Sequence, residues 1–143
     1  MPIPSFLIVD ASILFSFFKK DSERRRIFES LSLKGCRLLV PSYLFDELSS
    51  KQERIKRYAK IDGLAFSFLL SLLDSRIETF EAGRYCGLVQ EAEDISPHKE
   101  DAAYFALALV VNAPIWSDEE AFRRQSKVEI FTTNMLDRLL REE

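Results

Sequence analysis

The chain has 143 residues, of which 47% are hydrophobic and 30% are charged, with four glycines and five prolines. This composition excludes a disordered or collagen-like chain and predicts one compact domain, residues 1–143, that buries roughly 70% of the surface exposed by the unfolded chain. The net charge of −3 excludes a general basic field, so any contact with nucleic acid has to be local.

Short apolar runs alternate along the chain with stretches of helical period, which predicts an α/β fold with a parallel sheet. Helices fill the gaps between the strands. The five predicted strands are residues 6–9, 37–40, 77–80, 114–116 and 128–131.

The first predicted strand ends on a carboxylate, Asp10. In an open α/β sheet the carboxyl ends of parallel strands line the crevice where ligands bind, and a charge is costly there unless a partner compensates it. Asp10 is therefore a candidate functional residue.

The second strand closes with Pro41 and Ser42, which predict a helix start because proline is tolerated in the first turn and serine caps free amides. This helix carries Glu47, with Leu44 close by. Two interpretations remain open: an inward carboxylate that needs a cation, or an exposed pair between Glu47 and Lys51.

A long apolar helix is predicted next, with a core-facing stripe at helical spacing. Phe66 and Leu70 fall off this stripe and mark either a partner or self-association surface or isolated exposed apolar residues. The stripe consists of Ile61, Leu64, Ala65, Phe68, Leu69, Leu72 and Leu73.

Ser96 and Pro97 predict another helix start, and the helix that begins near His98 is apolar nearly all round, as expected of a central helix. Its first turn carries Asp101, which either only matches the helix dipole or faces the edge of the sheet. His98, the single histidine, lies in a polar turn and is expected at the surface.

Asp118 and Glu119 follow the fourth strand, where Asp118 is either a helix N-cap or part of the site. Two strand-end acids and two acids on flanking helices would form one cluster of four. Such a cluster persists when a divalent cation compensates it, and oxygen-only ligands favour Mg²⁺ or Mn²⁺ over Zn²⁺.

Two basic clusters are available for a polyanion. The first consists of Lys19, Lys20, Arg24, Arg25 and Arg26, and the second runs from Lys51 to Lys60 and includes Arg54, Lys56 and Arg57. Solvated helix faces are the favoured interpretation of both. Cys36 and Cys86 form no metal-binding or disulfide pattern, so we expect both to be reduced, packed thiols in a cytoplasmic protein. Residues 1–4 contain no basic leader, and we expect no membrane span.

Four segments together resemble the motifs of PIN-domain nucleases, and the match is closest to VapC-type toxins. They are residues 8–12 (IVDAS), 40–48 (VPSYLFDEL), 100–109 (EDAAYFALAL) and 113–119 (APIWSDE). The resemblance implies a PIN-like, three-layer fold in which helices sandwich a five-stranded parallel sheet. It also implies a single PIN-like domain over residues 1–143.

The resemblance further implies metal-dependent endonucleolytic cleavage of RNA, with catalytic and metal-binding roles for Asp10, Glu47 and Asp101. Many relatives have Asn or Gly at the position of Asp118 and Asp at that of Glu119, so either acid here can be the fourth. Ser12 and Ser117 match small polar positions that orient ligands or water. The same resemblance implies an antitoxin partner, held by the helices after the first two strands, and a homodimer.

The predicted function is thus a Mg²⁺- or Mn²⁺-dependent endoribonuclease, the toxin of a VapBC-type pair. One alternative is a non-catalytic PIN-like module that binds protein or RNA with a degenerate acidic site. Another, a phosphoacceptor receiver domain, requires a lysine at the end of the last strand, and residues 128–133 contain none there.

Overall fold

The computed structural model describes residues 2–142. Its five strands pair in parallel in the order β3-β2-β1-β4-β5, which confirms the predicted parallel sheet. The last two strands are shorter than predicted: β4 begins after Pro114, which has no N–H to donate to a neighbouring strand, and β5 begins only at Ile130. The strands are β1 (Phe6–Val9), β2 (Arg37–Pro41), β3 (Ile77–Phe80), β4 (Ile115–Trp116) and β5 (Ile130–Phe131).

Helices cover both faces of the sheet. Short 3₁₀ turns at Ala82–Arg84, Cys86–Leu88, Lys99–Asp101 and Glu120–Arg124 join some of the elements. The α-helices are α1 (Ala11–Phe17), α2 (Glu23–Leu33), α3 (Leu44–Ser50), α4 (Gln52–Ala59), α5 (Gly63–Arg76), α6 (Val89–Ile95), α7 (Ala102–Val111) and α8 (Thr133–Arg141).

Alternate residues of the central strand enter two different hydrophobic cores. Leu7 and Val9 pack into a core with α1 to α5 and α8, whereas Ile8 packs into a second core with α6 and α7. Since successive side chains of a strand point to opposite faces, this division produces the three-layer arrangement that the resemblance implies.

The order of the strands places a topological switch point between β1 and β4. From β1 the sheet grows on one side through β2 and β3 and on the other through β4 and β5. The carboxyl ends of β1 and β4 meet there, and the Asp10 N–H donates to the Trp116 carbonyl at 3.0 Å. A crevice beyond such strand ends is the usual ligand site of an open α/β sheet.

Two predicted helix starts are wrong in detail. Pro41 belongs to β2, and α3 begins at Leu44, because the Ser42 hydroxyl donates to Glu81 instead of capping a helix. Ser96 ends α6, and its hydroxyl donates to the His98 carbonyl, so α7 begins only after the 3₁₀ turn Lys99–Asp101. His98 itself is exposed, as predicted.

The predicted stripe of α5 is correct for Leu69 and Leu73, which are buried, and wrong for its N-terminal part. Phe66 is buried and its ring stacks on Phe18 at 5.1 Å between centroids, whereas Leu64 and Phe68 are 82% and 66% exposed. Apolar residues of α5 occur on all sides of the helix, so the helical period is compatible with more than one buried face. The apolar surface therefore lies at Leu64 and Phe68, and not at Phe66 and Leu70.

The two cysteines are free thiols in different environments. Cys36 is buried, which raises the pKa of its thiol to about 12, while Cys86 is exposed. The prediction of packed thiols thus holds for Cys36 alone. Within residues 2–142, every helix is too short or too polar to cross a membrane.

Candidate functional site

Asp10 lies at the switch point and is held in place by two serines. The residue stands at the N-cap position of α1, yet its side chain makes no capping bond. Its Oδ2 atom accepts hydrogen bonds from Ser12 Oγ at 2.9 Å and Ser117 Oγ at 2.8 Å. Only 4% of Asp10 is exposed, and burial raises its pKa although both serines act in the opposite direction. The two serines therefore fix the orientation of the Asp10 carboxylate, but as neutral groups they do not balance its negative charge.

Glu47 contributes a second carboxylate from α3. Its Oε1 atom lies 3.5 Å from Lys51 Nζ, and both residues line the same cleft as Asp10. The two interpretations left open by the sequence are therefore compatible, because the pair with Lys51 forms at the cleft.

Asp101 approaches from the end of the 3₁₀ turn that precedes α7. It makes no capping bond, and its buried Oδ2 atom has no hydrogen-bond partner among the described residues. Burial, followed by the charges of Asp10 and Glu119, raises the pKa of Asp101 to about 6. The carboxylates of Asp10, Asp101 and Glu119 therefore repel one another.

Glu119 follows β4 and lines the same cleft as Asp10. Its backbone N–H donates to Ser117 Oγ at 3.1 Å, and that hydroxyl in turn donates to Asp10. Burial and then the charge of Asp10 raise the pKa of Glu119. Glu119 is thus electrostatically coupled to Asp10.

Asp118 forms its hydrogen bonds with residues other than these acids and serines. Its carboxylate accepts hydrogen bonds from the Thr133 N–H at 2.7 Å, at the start of α8, and from Arg24 Nε at 3.0 Å. Burial raises the pKa of Asp118, but the bonds from Thr133 and the charge of Arg24 outweigh it, so this pKa lies below its usual value. Asp118 lines a neighbouring cleft of about 410 Å³.

Four of the five predicted acids converge on one open cleft of about 440 Å³. The acids are Asp10, Glu47, Asp101 and Glu119. The same cleft is also lined by Lys51 and Arg54, whose cationic groups lie over the Phe15 ring, 5.4 and 6.0 Å from its centroid. Carboxylates and basic side chains that line one cleft suit a cation together with a polyanion.

The donor set fits a hard divalent cation in chemistry and in charge. Carboxylate oxygens are the ligands that Mg²⁺ and Mn²⁺ prefer, and the unpartnered Asp101 Oδ2 offers one of them. Within residues 2–142, however, no three Asp, Glu, His or Cys side chains stand close enough together to hold an ion as they are placed. Asp10, Glu47, Asp101 and Glu119 would have to turn toward one another to do so.

The structural environment of two residues of this region was not predicted from the sequence. Arg24 reaches inward from α2 and donates to Ser16 Oγ at 2.9 Å as well as to Asp118, whereas the sequence indicated only a solvated basic run. Tyr104 lies one turn after Asp101, inside a helix whose apolar composition predicted only core packing. No spacing in the sequence distinguishes either residue.

Comparison with known proteins agrees with this architecture. The sequence model of the PIN domain matches residues 8–138. Among solved structures, the chain is similar to one in the crystal structure of VapBC2 from Rickettsia felis bound to a DNA fragment from its promoter. The TM-score is 0.64 at 17% identity, over 89% of this chain and 98% of that chain. No curated protein matches the sequence.

Proposed function

This chain belongs to the PIN-domain family, and from that premise we propose that it is a Mg²⁺- or Mn²⁺-dependent endoribonuclease. The observation that carries the proposal is the convergence of Asp10, Glu47, Asp101 and Glu119 on one cleft at the switch point of the sheet. Among the described residues, the one ion pair that any of these four acids forms is the pair between Glu47 and Lys51. The cluster is therefore under-compensated.

We assign the role of cation ligand to these four acids, with Glu119 as the fourth instead of Asp118. A divalent cation activates water and clamps a phosphodiester in such sites. Ser12 and Ser117 orient the Asp10 carboxylate, and Lys51 and Arg54 attract the phosphates of the substrate. Asp118, just after β4, accepts hydrogen bonds from Arg24 of α2 and Thr133 of α8 and so links these three elements.

Cleavage of single-stranded RNA by the purified chain tests this function. We expect cleavage in Mn²⁺, none in EDTA, and none by the Asp10→Asn variant. Asp46→Asn is the matched control, because Asp46 is an exposed acid on α3 next to Glu47. If wild-type protein is folded yet leaves RNA intact in Mn²⁺, the alternative of a non-catalytic binding module is favoured, in line with the separation of the carboxylates.

We further propose that the chain is the toxin of a VapBC-type pair, acts in the cytoplasm and is held inactive by an antitoxin. The support is the similarity in fold to a chain of the VapBC2 structure. A gene for a small DNA-binding protein directly upstream would provide the partner to test. Co-expression of that protein should give a stable complex without ribonuclease activity, and failure to form a complex would contradict the pairing.

A further inference from the structure

Tyr58 lies where the acidic cleft adjoins the neighbouring cleft, and the proposed chemistry gives it no role. Three residues line both clefts: Ser16, Arg24 and Tyr58. Ser16 is buried, and the Arg24 guanidinium donates to Asp118 and to the Ser16 hydroxyl. Tyr58, which is 48% exposed, is therefore the side chain at this junction that is available to a ligand.

The ring of Tyr58 has cationic neighbours. The Lys19 ammonium lies over it, with 5.2 Å between Nζ and the ring centroid. Arg54 precedes Tyr58 by four residues on α4, a spacing that puts both side chains on one helix face, and Arg54 also lines the acidic cleft. Neither Lys19 nor Arg54 forms an ion pair with another residue between positions 2 and 142. Both positive charges are therefore available to phosphates.

Among the large apolar and aromatic side chains that are exposed within residues 2–142, Tyr58 is the one that lines either of these clefts. An aromatic ring beside unpaired cations is typical of sites for single-stranded nucleic acid, in which cations hold the phosphates and unpaired bases stack on rings. We propose that the Tyr58 ring stacks a base of the RNA substrate where the strand passes from the acidic cleft into the neighbouring cleft. This inference rests on the proposed ribonuclease function and adds recognition of a base to that of the phosphates.

The neighbouring cleft has room for the strand beyond Tyr58. Its volume of about 410 Å³ falls within the range of roughly 300–1,000 Å³ that small-ligand sites span. Ser22 and Asn134 contribute uncharged polar groups to its lining. Its two acids, Glu23 and Asp118, each form an ion pair with an arginine, so their repulsion of a phosphate is reduced.

The experiment is the binding of a fluorescently labelled single-stranded RNA to the chain in EDTA, measured by anisotropy. We expect Tyr58→Ala to bind about tenfold more weakly than wild type, because one base loses its stacking partner. Tyr58→Phe keeps the ring and should bind like wild type. Phe68→Ala is the matched control, since it removes an exposed aromatic ring outside both clefts, and its affinity should be unchanged.

Two further measurements separate stacking from an effect on charge. The slope of log affinity against log salt should be the same for wild type and Tyr58→Ala, because the ring carries no charge. Inorganic polyphosphate, a polyanion without bases, should bind both proteins equally. Tyr58→Leu, which keeps an apolar side chain at this half-exposed position, should behave like Tyr58→Ala in every assay.

Equal affinities of wild type and Tyr58→Ala for RNA would overturn the inference and leave the ribonuclease proposal intact. An equal loss of polyphosphate binding, or a smaller salt slope in Tyr58→Ala, would also overturn it, because the ring would then act by holding a cation and not by stacking. Conversely, Tyr58-dependent RNA binding without Mn²⁺-dependent cleavage would support the inference and refute the nuclease. A wild-type chain that neither binds nor cleaves RNA would overturn both.

Discussion

At the scale of single residues, the two adjacent acids after β4 differ in their contacts. Asp118 accepts hydrogen bonds from Thr133 and Arg24, whereas Glu119 shares a cleft with Asp10. The sequence motif alone left either acid as the fourth ligand. The distinction depends on Arg24 and Thr133, which are far from Asp118 in sequence and come near it only in the folded chain.

Asp118→Asn should therefore destabilise the fold, by about 1–3 kcal/mol, because an amide has one acceptor oxygen in place of the two that accept from the Thr133 N–H and the Thr133 hydroxyl, and because it leaves Arg24 without its counter-charge. Since the pKa of Asp118 is lowered in the folded state, the difference from wild type should be full at neutral pH and disappear as the pH falls below about 4. Urea denaturation in EDTA measures it. Glu119→Gln should be at least as stable as wild type, because the pKa of Glu119 is raised by folding, but should lose cleavage activity, and the reverse pattern would make Asp118 the fourth ligand.

Asp101→Asn should stabilise the cation-free protein. A carboxyl whose pKa is raised to about 6 by folding is penalised increasingly as the pH rises from about 4 to 6, and the penalty is full above that range. Allowing for the partial exposure of Asp101, we expect a gain of about 1 kcal/mol at pH 8 and none at pH 4. Asp46→Asn, which neutralises an exposed acid, should show no gain, and a loss of stability in Asp101→Asn at pH 8 would contradict the account.

At the scale of helices and strands, the ends of β1 and β4 and the beginnings of α3 and α7 bring the site together. β1 and β4 place Asp10 and Glu119 at the switch point, and α3 and α7 bring Glu47 and Asp101 to the same cleft. The exposed apolar face of α5, with Leu64 and Phe68, lies elsewhere on the fold and has no role in this cleft.

The homodimer expected from the family stays a prediction, and α5 is the element on which to test it. The double variant Leu64→Gln, Phe68→Gln removes the exposed apolar side chains and should shift the mass measured by light scattering from dimer to monomer. Leu33→Gln, which changes a residue that is 88% exposed on α2, is the control and should remain dimeric. Equal masses for all three proteins would exclude α5 as the interface.

At the scale of the whole molecule, the proposed ribonuclease is an acidic chain that would bind a polyanion through the few basic side chains that line its cleft. The net charge of −3 opposes binding at long range, and Lys51 and Arg54 provide positive charge at the cleft itself. Affinity for RNA should therefore depend on few contacts and on ionic strength.

Arg54→Gln should weaken the binding of single-stranded RNA in EDTA, where no cleavage takes place. If Arg54 makes one phosphate contact, the slope of log affinity against log salt should fall by roughly 0.7. Fluorescence anisotropy at several salt concentrations measures this slope. Arg57→Gln, an exposed neighbour on α4 outside the cleft, should match wild type, and an equal loss in both variants would indicate a general charge effect.

Much of the fold was predictable because strands that are buried on both faces, such as β1 and β2, read as short apolar runs, and all five strands of the sheet were found, including the less buried edge strand β3. The face of α5 was not predictable, because its apolar residues satisfy the helical period in more than one orientation. At the site, Asp10 was evident as a charge at a strand end. The inward contacts of Arg24 were not evident, because Asp118 and Ser16 come near its guanidinium only in the folded chain.

The most direct test of the central claim, that the acidic cleft holds a divalent cation, is an anomalous difference map from a crystal soaked in Mn²⁺. We predict a peak bounded by Asp10, Glu47, Asp101 and Glu119, with Asp118 still bonded to Thr133 and Arg24. A crystal without a peak at saturating Mn²⁺, or with a peak ligated by Asp118 in the neighbouring cleft, would contradict the account.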